Sequence, residues 1–132
     1  MKYLPLAARI CLSLIFIKAG ISHITGYSDT VSQMAGMGLP IPEVLLIFTI
    51  IFQILGGLSL LLGYKIKIGS ILLILFLIPA TLVYHNPIGD PSQLNGFLKN
   101  IGLIGGLLMV IYAGAGALSI DGSKSDRHII TQ

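Results

Sequence analysis

Residues 44–84 read VLLIFTIIFQILGGLSLLLGYKIKIGSILLILFLIPATLVY, and this stretch decides the fold. Two apolar runs, about Val44–Leu62 and about Ile68–Tyr84, flank the short polar turn Gly63–Lys67. A bilayer core of roughly 30 Å is crossed by about 20 mostly apolar helical residues, and both runs are near that length. A turn so short makes the two helices antiparallel neighbours. Working outward, runs of the same kind cover about Leu4–Ile24 before this pair and about Ile101–Leu118 after it. Four spans follow, with no room for a soluble domain: residues 1–132 are one unit.

Composition supports this reading. Hydrophobic residues make up 55% of the 132 residues, charged residues only 10%, and mean hydropathy is +0.94. Five acids and eight basic residues cannot cover the surface that a small soluble domain shows to water. The basic residues are scattered and form no stripe, so nucleic acid is not an expected partner. Cys11 has no second cysteine, which excludes a disulfide scaffold and thiol–disulfide chemistry within the chain. The first run has the basic start and apolar middle of a signal peptide. Lys18 and His23 occupy the place of a small-residue cleavage site, so a retained helix is expected.

Lys and Arg set the expected orientation. Lys2, Arg9, Lys65, Lys67, Lys124 and Arg127 fall on one side, and only Lys18 and Lys99 on the other. Both termini and the Gly63–Lys67 turn are therefore expected in the cytoplasm, with the loops His23–Glu43 and His85–Lys99 outside. Ser28 is a candidate N-cap for a short interfacial helix in the first outer loop, ended by Gly36 and Gly38. Pro79 is expected to kink the third span near Leu75. The expected architecture is all-α: a four-helix membrane bundle, N-in and C-in.

The polar residues inside these spans carry the functional argument. Arg9 and Lys18, nine residues apart, project from opposite helix faces. Arg9 shares its face with Leu12, Ser13, Phe16 and Gly20, so it is expected to point inward. Gln53 stands mid-span, where its amide needs a partner: Arg9, a carbonyl freed by Pro79, or the carbonyl of a bound ligand. Arg9 and Gln53 are thus expected to line one interior site for an apolar ligand. Gly102, Gly106, Ala113 and Ala117 in the fourth span form an expected packing stripe, as do Gly56 and Gly57 in the second. His23, Tyr27, Glu43, Tyr84, His85, Asn86, Gln93, Lys99 and Asn100 gather at the outer rim. His23, His85 and Lys99 are the catalytic candidates there, handling protons or substrate anions. No metal-ligand spacing is present. Leu55–Leu58 and Ile104–Leu107 echo one another, too weakly to establish a repeat.

Several short patterns resemble the DoxX family of small four-helix membrane proteins, over about the whole apolar part of the chain. They are Arg9 opening the first span, Phe16 and Gly20 in a Phe-x-x-x-Gly step, and Gly38-Leu39-Pro40-Ile41-Pro42-Glu43 before the second span. Gly56-Gly57-Leu58 with Gly63 follows, then His85, then Phe97-Leu98-Lys99-Asn100 at the start of the fourth span. The chain departs at two positions: His23 where the family often has a lysine, and Gln53 where it often has a glutamate. The resemblance implies a bacterial inner-membrane location. It also implies membership of a redox system, since some relatives are linked to sulfur-compound oxidation with electrons passed to quinone and others to oxidative-stress complexes. The leading expectation is a small membrane subunit of such a system, its cofactor unassigned with quinone the candidate, and a partner redox protein or a homo-oligomer as company in the bilayer. A non-catalytic anchor docking a partner enzyme, or a small-solute exporter, are the alternatives.

Overall fold

The computed structural model describes residues 2–122; the basic residues Lys124 and Arg127 used in the orientation argument lie outside the described residues. Among the described residues five α-helices follow in order: α1 Tyr3–Thr25, α2 Tyr27–Gly36, α3 Pro42–Leu62, α4 Ile66–Tyr84 and α5 Leu94–Ala113, with a 3-10 turn at Pro91–Gln93. α1, α3, α4 and α5 are long and apolar enough to cross a membrane. They run up and down in turn, α1 packing chiefly on α3, α3 on α4 and α4 on α5, with a slighter seam between α5 and α1. One end of the bundle carries the Gly63–Lys65 turn and the segment after α5; the other carries α2 and the 85–93 loop. These are called the turn end and the loop end.

Burial is inverted relative to a water-soluble bundle. Leu60, Leu73 and Leu107 are fully enclosed, while Leu14, Phe48, Leu75, Leu82 and Leu108 are more than half exposed on the outside. Lipid is as apolar as those side chains, so close packing has to hold the helices together. Glycine permits it. A Cβ at Gly57 would lie 2.7 Å from Ile17 Cγ1 and 3.4 Å from the Ile17 backbone nitrogen, which brings α1 and α3 into backbone contact. Gly20 faces Ile54 in the same seam, Gly56 sits under Leu73, and Gly69 sits against Ser59 between α3 and α4.

Local chemistry sets the helix ends. α2 closes in a Schellman arrangement: Leu39 N–H donates to Met34 O (3.2 Å), Gly38 N–H donates to Ala35 O (3.0 Å), and Gly38 takes φ +79°. Its N-cap is Gly26, not Ser28, because α1 continues to Thr25 and leaves one residue between the helices. α4 passes through Pro79 unbroken.

The fourth span differs from expectation in both register and face. α5 begins at Leu94, seven residues early, and stops at Gly114, whose φ of +80° ends the helix. Its buried residues are Asn100, Leu107 and Val110. Gly106 does touch Leu12, but Gly102, Ala113 and Ala117 are exposed, so the expected stripe is not one packing face. Residues 113 and 117 lie past or at the helix end, where the 3.6-residue spacing that built the stripe no longer applies.

Candidate functional site

Arg9 is buried, as are Ser13, Phe16 and Gly20 on its face, while Lys18 is exposed on the other side of α1. The guanidinium lies at the turn end. Its Nη1 donates to Leu60 O (3.1 Å) and Leu61 O (3.2 Å), and Nη2 donates to Leu118 O. These carbonyls have reasons to need a donor. A helix leaves its last four carbonyls without intrahelical partners, and the Gly63 and Tyr64 amides both turn to Ser59 O. Arg9 supplies the remainder. Asp121 completes the knot from the segment after α5: its carboxylate accepts from Lys65 N–H (2.9 Å) and Ile66 N–H (3.0 Å) at the start of α4, and its own N–H donates to Gly63 O (2.9 Å). Arg9 Nε is buried without a partner among the described residues.

Gln53 is elsewhere. It lies seven residues before Leu60 on α3, two turns or about 10 Å along the axis. Its partner is His23: Nδ1 and Gln53 Oε1 are 2.8 Å apart, with Gln53 only 3% exposed. Antiparallel geometry accounts for the meeting. Side chains lean toward the N-terminus of their own helix, so His23 on α1 and Gln53 on α3 lean toward each other from different levels. Arg9 and Gln53 therefore do not line one site, and neither Arg9 nor a carbonyl freed by Pro79 satisfies Gln53. Arg9 bonds the Leu60 and Leu61 carbonyls that close α3 and the Leu118 carbonyl after α5, and two turns of α3 separate the first two from the amide.

A carbonyl oxygen only accepts, so His23 Nδ1 donates in this bond. His85 repeats the arrangement near the loop end. Its Nδ1 lies 2.9 Å from Gln93 Oε1, and its ring rests on Gly96, where a Cβ would come 2.5 Å from Nδ1. Each imidazole is held by a glutamine through one nitrogen with the other directed away.

The expected rim cluster does not converge on one point. His23 and His85 bond different glutamines, and Lys99 is exposed on α5. Asn100 is not at the rim: it is buried between α4 and α5, with Nδ2 donating to Thr81 Oγ1 (3.0 Å), which donates in turn to Leu77 O (2.6 Å). The early start of α5 places this residue two turns inside the helix. Tyr27 Oη donates to Glu43 O (3.3 Å), and Asn86 Oδ1 accepts from Ile88 N–H (3.0 Å). Asp90 accepts from both the N–H (3.0 Å) and the hydroxyl (2.7 Å) of Ser92, and these bonds hold its carboxyl below the ordinary range. An open depression of about 780 Å³ lies at the turn end, bordered by Lys65, Lys67, Gly116 and Asp121. It is at the opposite end from both imidazoles. Among the described residues, no group of three or more His, Cys, Asp or Glu side chains is placed to hold a metal ion.

Sequence reasoning identified His23 and Gln53 but not their contact. It missed Asp121 as a cap, and a carboxylate falling opposite a glycine turn after the last span was the available signal.

Comparison with known proteins gives a consistent assignment. A family model described as DoxX matches residues 4–86. The chain is 33% identical to the inner membrane protein YqjF of Escherichia coli over 116 residues, 88% of each chain. It is 31% identical to the inner membrane protein YphA of the same organism over 124 residues, covering 89% of this chain and 88% of that one. A further match is 38% identical over 82 residues to the ER-derived vesicles protein ERV29 of Saccharomyces cerevisiae, covering 58% of this chain and 26% of that one. No solved structure matches.

Proposed function

The chain belongs to the DoxX family and is a multi-pass protein of the cell membrane, and from that premise we propose that it is a small subunit of a redox system that binds a quinone-like ligand among its helices. The observation that carries this reading is the His23–Gln53 pair, a buried amide whose oxygen meets an imidazole at 2.8 Å between α1 and α3. A ligand carbonyl within reach of the Gln53 amide hydrogens would accept from them. Arg9 is assigned no part in binding, since its Nη donors already serve three backbone carbonyls.

In this reading the bundle is oriented with the turn end in the cytoplasm and the loop end outside, and α2 lies at the outer interface. Gln53 would hold a ligand carbonyl through its amide hydrogens, and His23, fixed by Gln53 through Nδ1, would stand beside it as the group able to carry a proton. His85 and Lys99 stand on the outer side. The quinone supplies the two-electron, two-proton acceptor, and a partner redox protein supplies the electrons.

Titration of decyl-ubiquinone into the purified protein and into folded Gln53→Leu and His23→Phe variants tests this. Binding to the parent, weakened about tenfold in each variant, is expected, which corresponds to loss of one hydrogen bond of about 1.4 kcal/mol. No binding to the parent, or equal binding to all three, removes the ligand role and leaves the bundle as an anchor.

A further inference from the structure

The turn end carries a basic surplus. Among the described residues Lys2, Arg9, Lys65 and Lys67 lie there against the carboxylate of Asp121. Two of the lysines oppose the helix they start. Helix N-termini favour carboxylates, yet Lys65 is the N-cap of α4, Lys67 is in its first turn, and that turn holds no acid. The Lys65 ammonium rests over the Tyr64 ring, 5.5 Å from its centroid, and among the described residues neither lysine forms an ion pair.

Both lysines border the open depression of about 780 Å³ at this end. Its far side is firmly built: Ala115 is 5% exposed, Gly116 packs on Pro5 of α1, and the Ser119 hydroxyl donates to Gly116 O. Backbone donors are in surplus too. Asp121 takes the amides of Lys65 and Ile66, which leaves those of Lys67 and Ile68 in the orphan first turn of α4. The amides of Ala115, Gly116 and Ala117 make no hydrogen bond among the described residues. Asp121 is the adverse charge at the border, and its two oxygens are already turned to amides. Ile68 borders the same depression and is 59% exposed on the outside of the bundle. Cations and amide donors therefore adjoin a lipid-facing wall at the end of a membrane span, which suits an anion attached to hydrocarbon.

We propose that the depression between the start of α4 and the segment after α5 binds the phosphate of an anionic phospholipid such as phosphatidylglycerol. The phosphate accepts from Lys65, Lys67 and amides of the first turn of α4, and the acyl chains run along the outside of α4 past Ile68 and Ile71. It supplies the counter-charge that this helix start lacks. Because it binds the folded bundle, it also stabilises the turn end. A free phosphate ion meets the same donors but gains nothing from the Ile68 wall. His23 and Gln53 lie at another level of the bundle and take no part.

Native mass spectrometry of the protein released from detergent micelles, with phosphatidylglycerol, phosphatidylcholine or inorganic phosphate added, tests this. Phosphatidylglycerol should bind at least about tenfold more tightly than phosphatidylcholine. The double variant Lys65→Gln, Lys67→Gln should lose that preference. Ala117→Phe should lose it too, since it fills the depression from an exposed, non-helical position and alters no charge. Lys99→Gln, which removes a charge from the other end, should keep it within about twofold. As a second readout, amide hydrogen exchange over residues 114–118 should be slower in phosphatidylglycerol nanodiscs than in phosphatidylcholine nanodiscs, in the parent but not in Ala117→Phe. Inorganic phosphate binding without any preference for phosphatidylglycerol would make the ligand a free ion and overturn the lipid assignment. A preference that survives Ala117→Phe, or that Lys99→Gln removes as fully as the double variant does, would reduce the effect to diffuse surface charge. Equal binding of the two lipids and none of phosphate would overturn the anion site itself.

Discussion

Replacing Arg9 by methionine should unfold the turn end without emptying the ligand site. Methionine keeps much of the stem but leaves Leu60 O and Leu61 O without donors, and releases Leu118 O on the far side of the knot. Each buried acceptor left unmet costs about 1–3 kcal/mol, so the two carbonyls closing α3 give about 2–6 kcal/mol. Part of this is offset, because the variant no longer buries a guanidinium whose Nε has no partner. A net loss of about 2–4 kcal/mol remains, or about a thirty- to thousand-fold change in the unfolding equilibrium. Reversible unfolding by sodium dodecyl sulfate in mixed micelles, followed by far-UV circular dichroism, measures it. Arg9→Lys should fall between, since an ammonium is a compact charge that cannot span three carbonyls with a planar fork. Quinone affinity in folded Arg9→Met should stay within twofold of the parent. A stability change below about 0.5 kcal/mol would show that other groups satisfy those carbonyls and would overturn the capping argument.

The other expectations can be checked with similar means. Asp121→Ala should cost about 0.5–2 kcal/mol by uncapping α4, measured in the same micelle titration. Gly57→Leu should destabilise by about 1–3 kcal/mol or prevent folding, since Ile17 backbone lies behind it, while Leu108→Ala should change little because it faces lipid; equal loss in the two would refute glycine packing. Ser92→Cys, but not Ser123→Cys, should react with an impermeant maleimide on intact cells in a Cys11→Ser background, and the reverse would invert the topology. The Asp90 cap on Ser92 has a depressed folded pKa, so its contribution is complete above the ordinary carboxylate range and fades as pH falls toward the folded value; Ser92 amide exchange should rise over that acid window, and Asp90→Asn should abolish the dependence.

The spans were legible because bilayer thickness acts on length and apolarity alone, which a single sequence displays. The inward face of Arg9 was legible for a related reason: Ser13, Phe16 and Gly20 share it at helical spacing and include the small and polar positions of an otherwise oily helix, and all three are buried. What failed was the fourth span. Leu94–Asn100 is polar enough to read as loop, yet it is helical, because Pro91 and the Asp90–Ser92 bonds start a turn that α5 then extends. Hydropathy reports which residues tolerate lipid. It does not report where a capped helix begins, and the seven-residue error moved Asn100 from the interior to the rim.

The site was half legible, and its missing half is instructive. His23 and Gln53 were each singled out, and each is a position at which the chain departs from the usual family residue, yet they were assigned to different clusters. Pairing requires the offset between antiparallel helices, and that offset is set by glycine contacts, Gly20 on Ile54 and Gly57 on Ile17, which carry no signal of register in sequence. Once the offset is known, the two departures become one change. A lysine and a glutamate in these positions would bury opposite charges, at a desolvation cost of several kcal/mol per ion, roughly, repaid only by excellent geometry. Histidine and glutamine instead meet at 2.8 Å through Nδ1 and Oε1 without burying a pair of opposite charges. The exchange thus removes the paired charges while keeping a polar contact that holds the offset of α1 against α3.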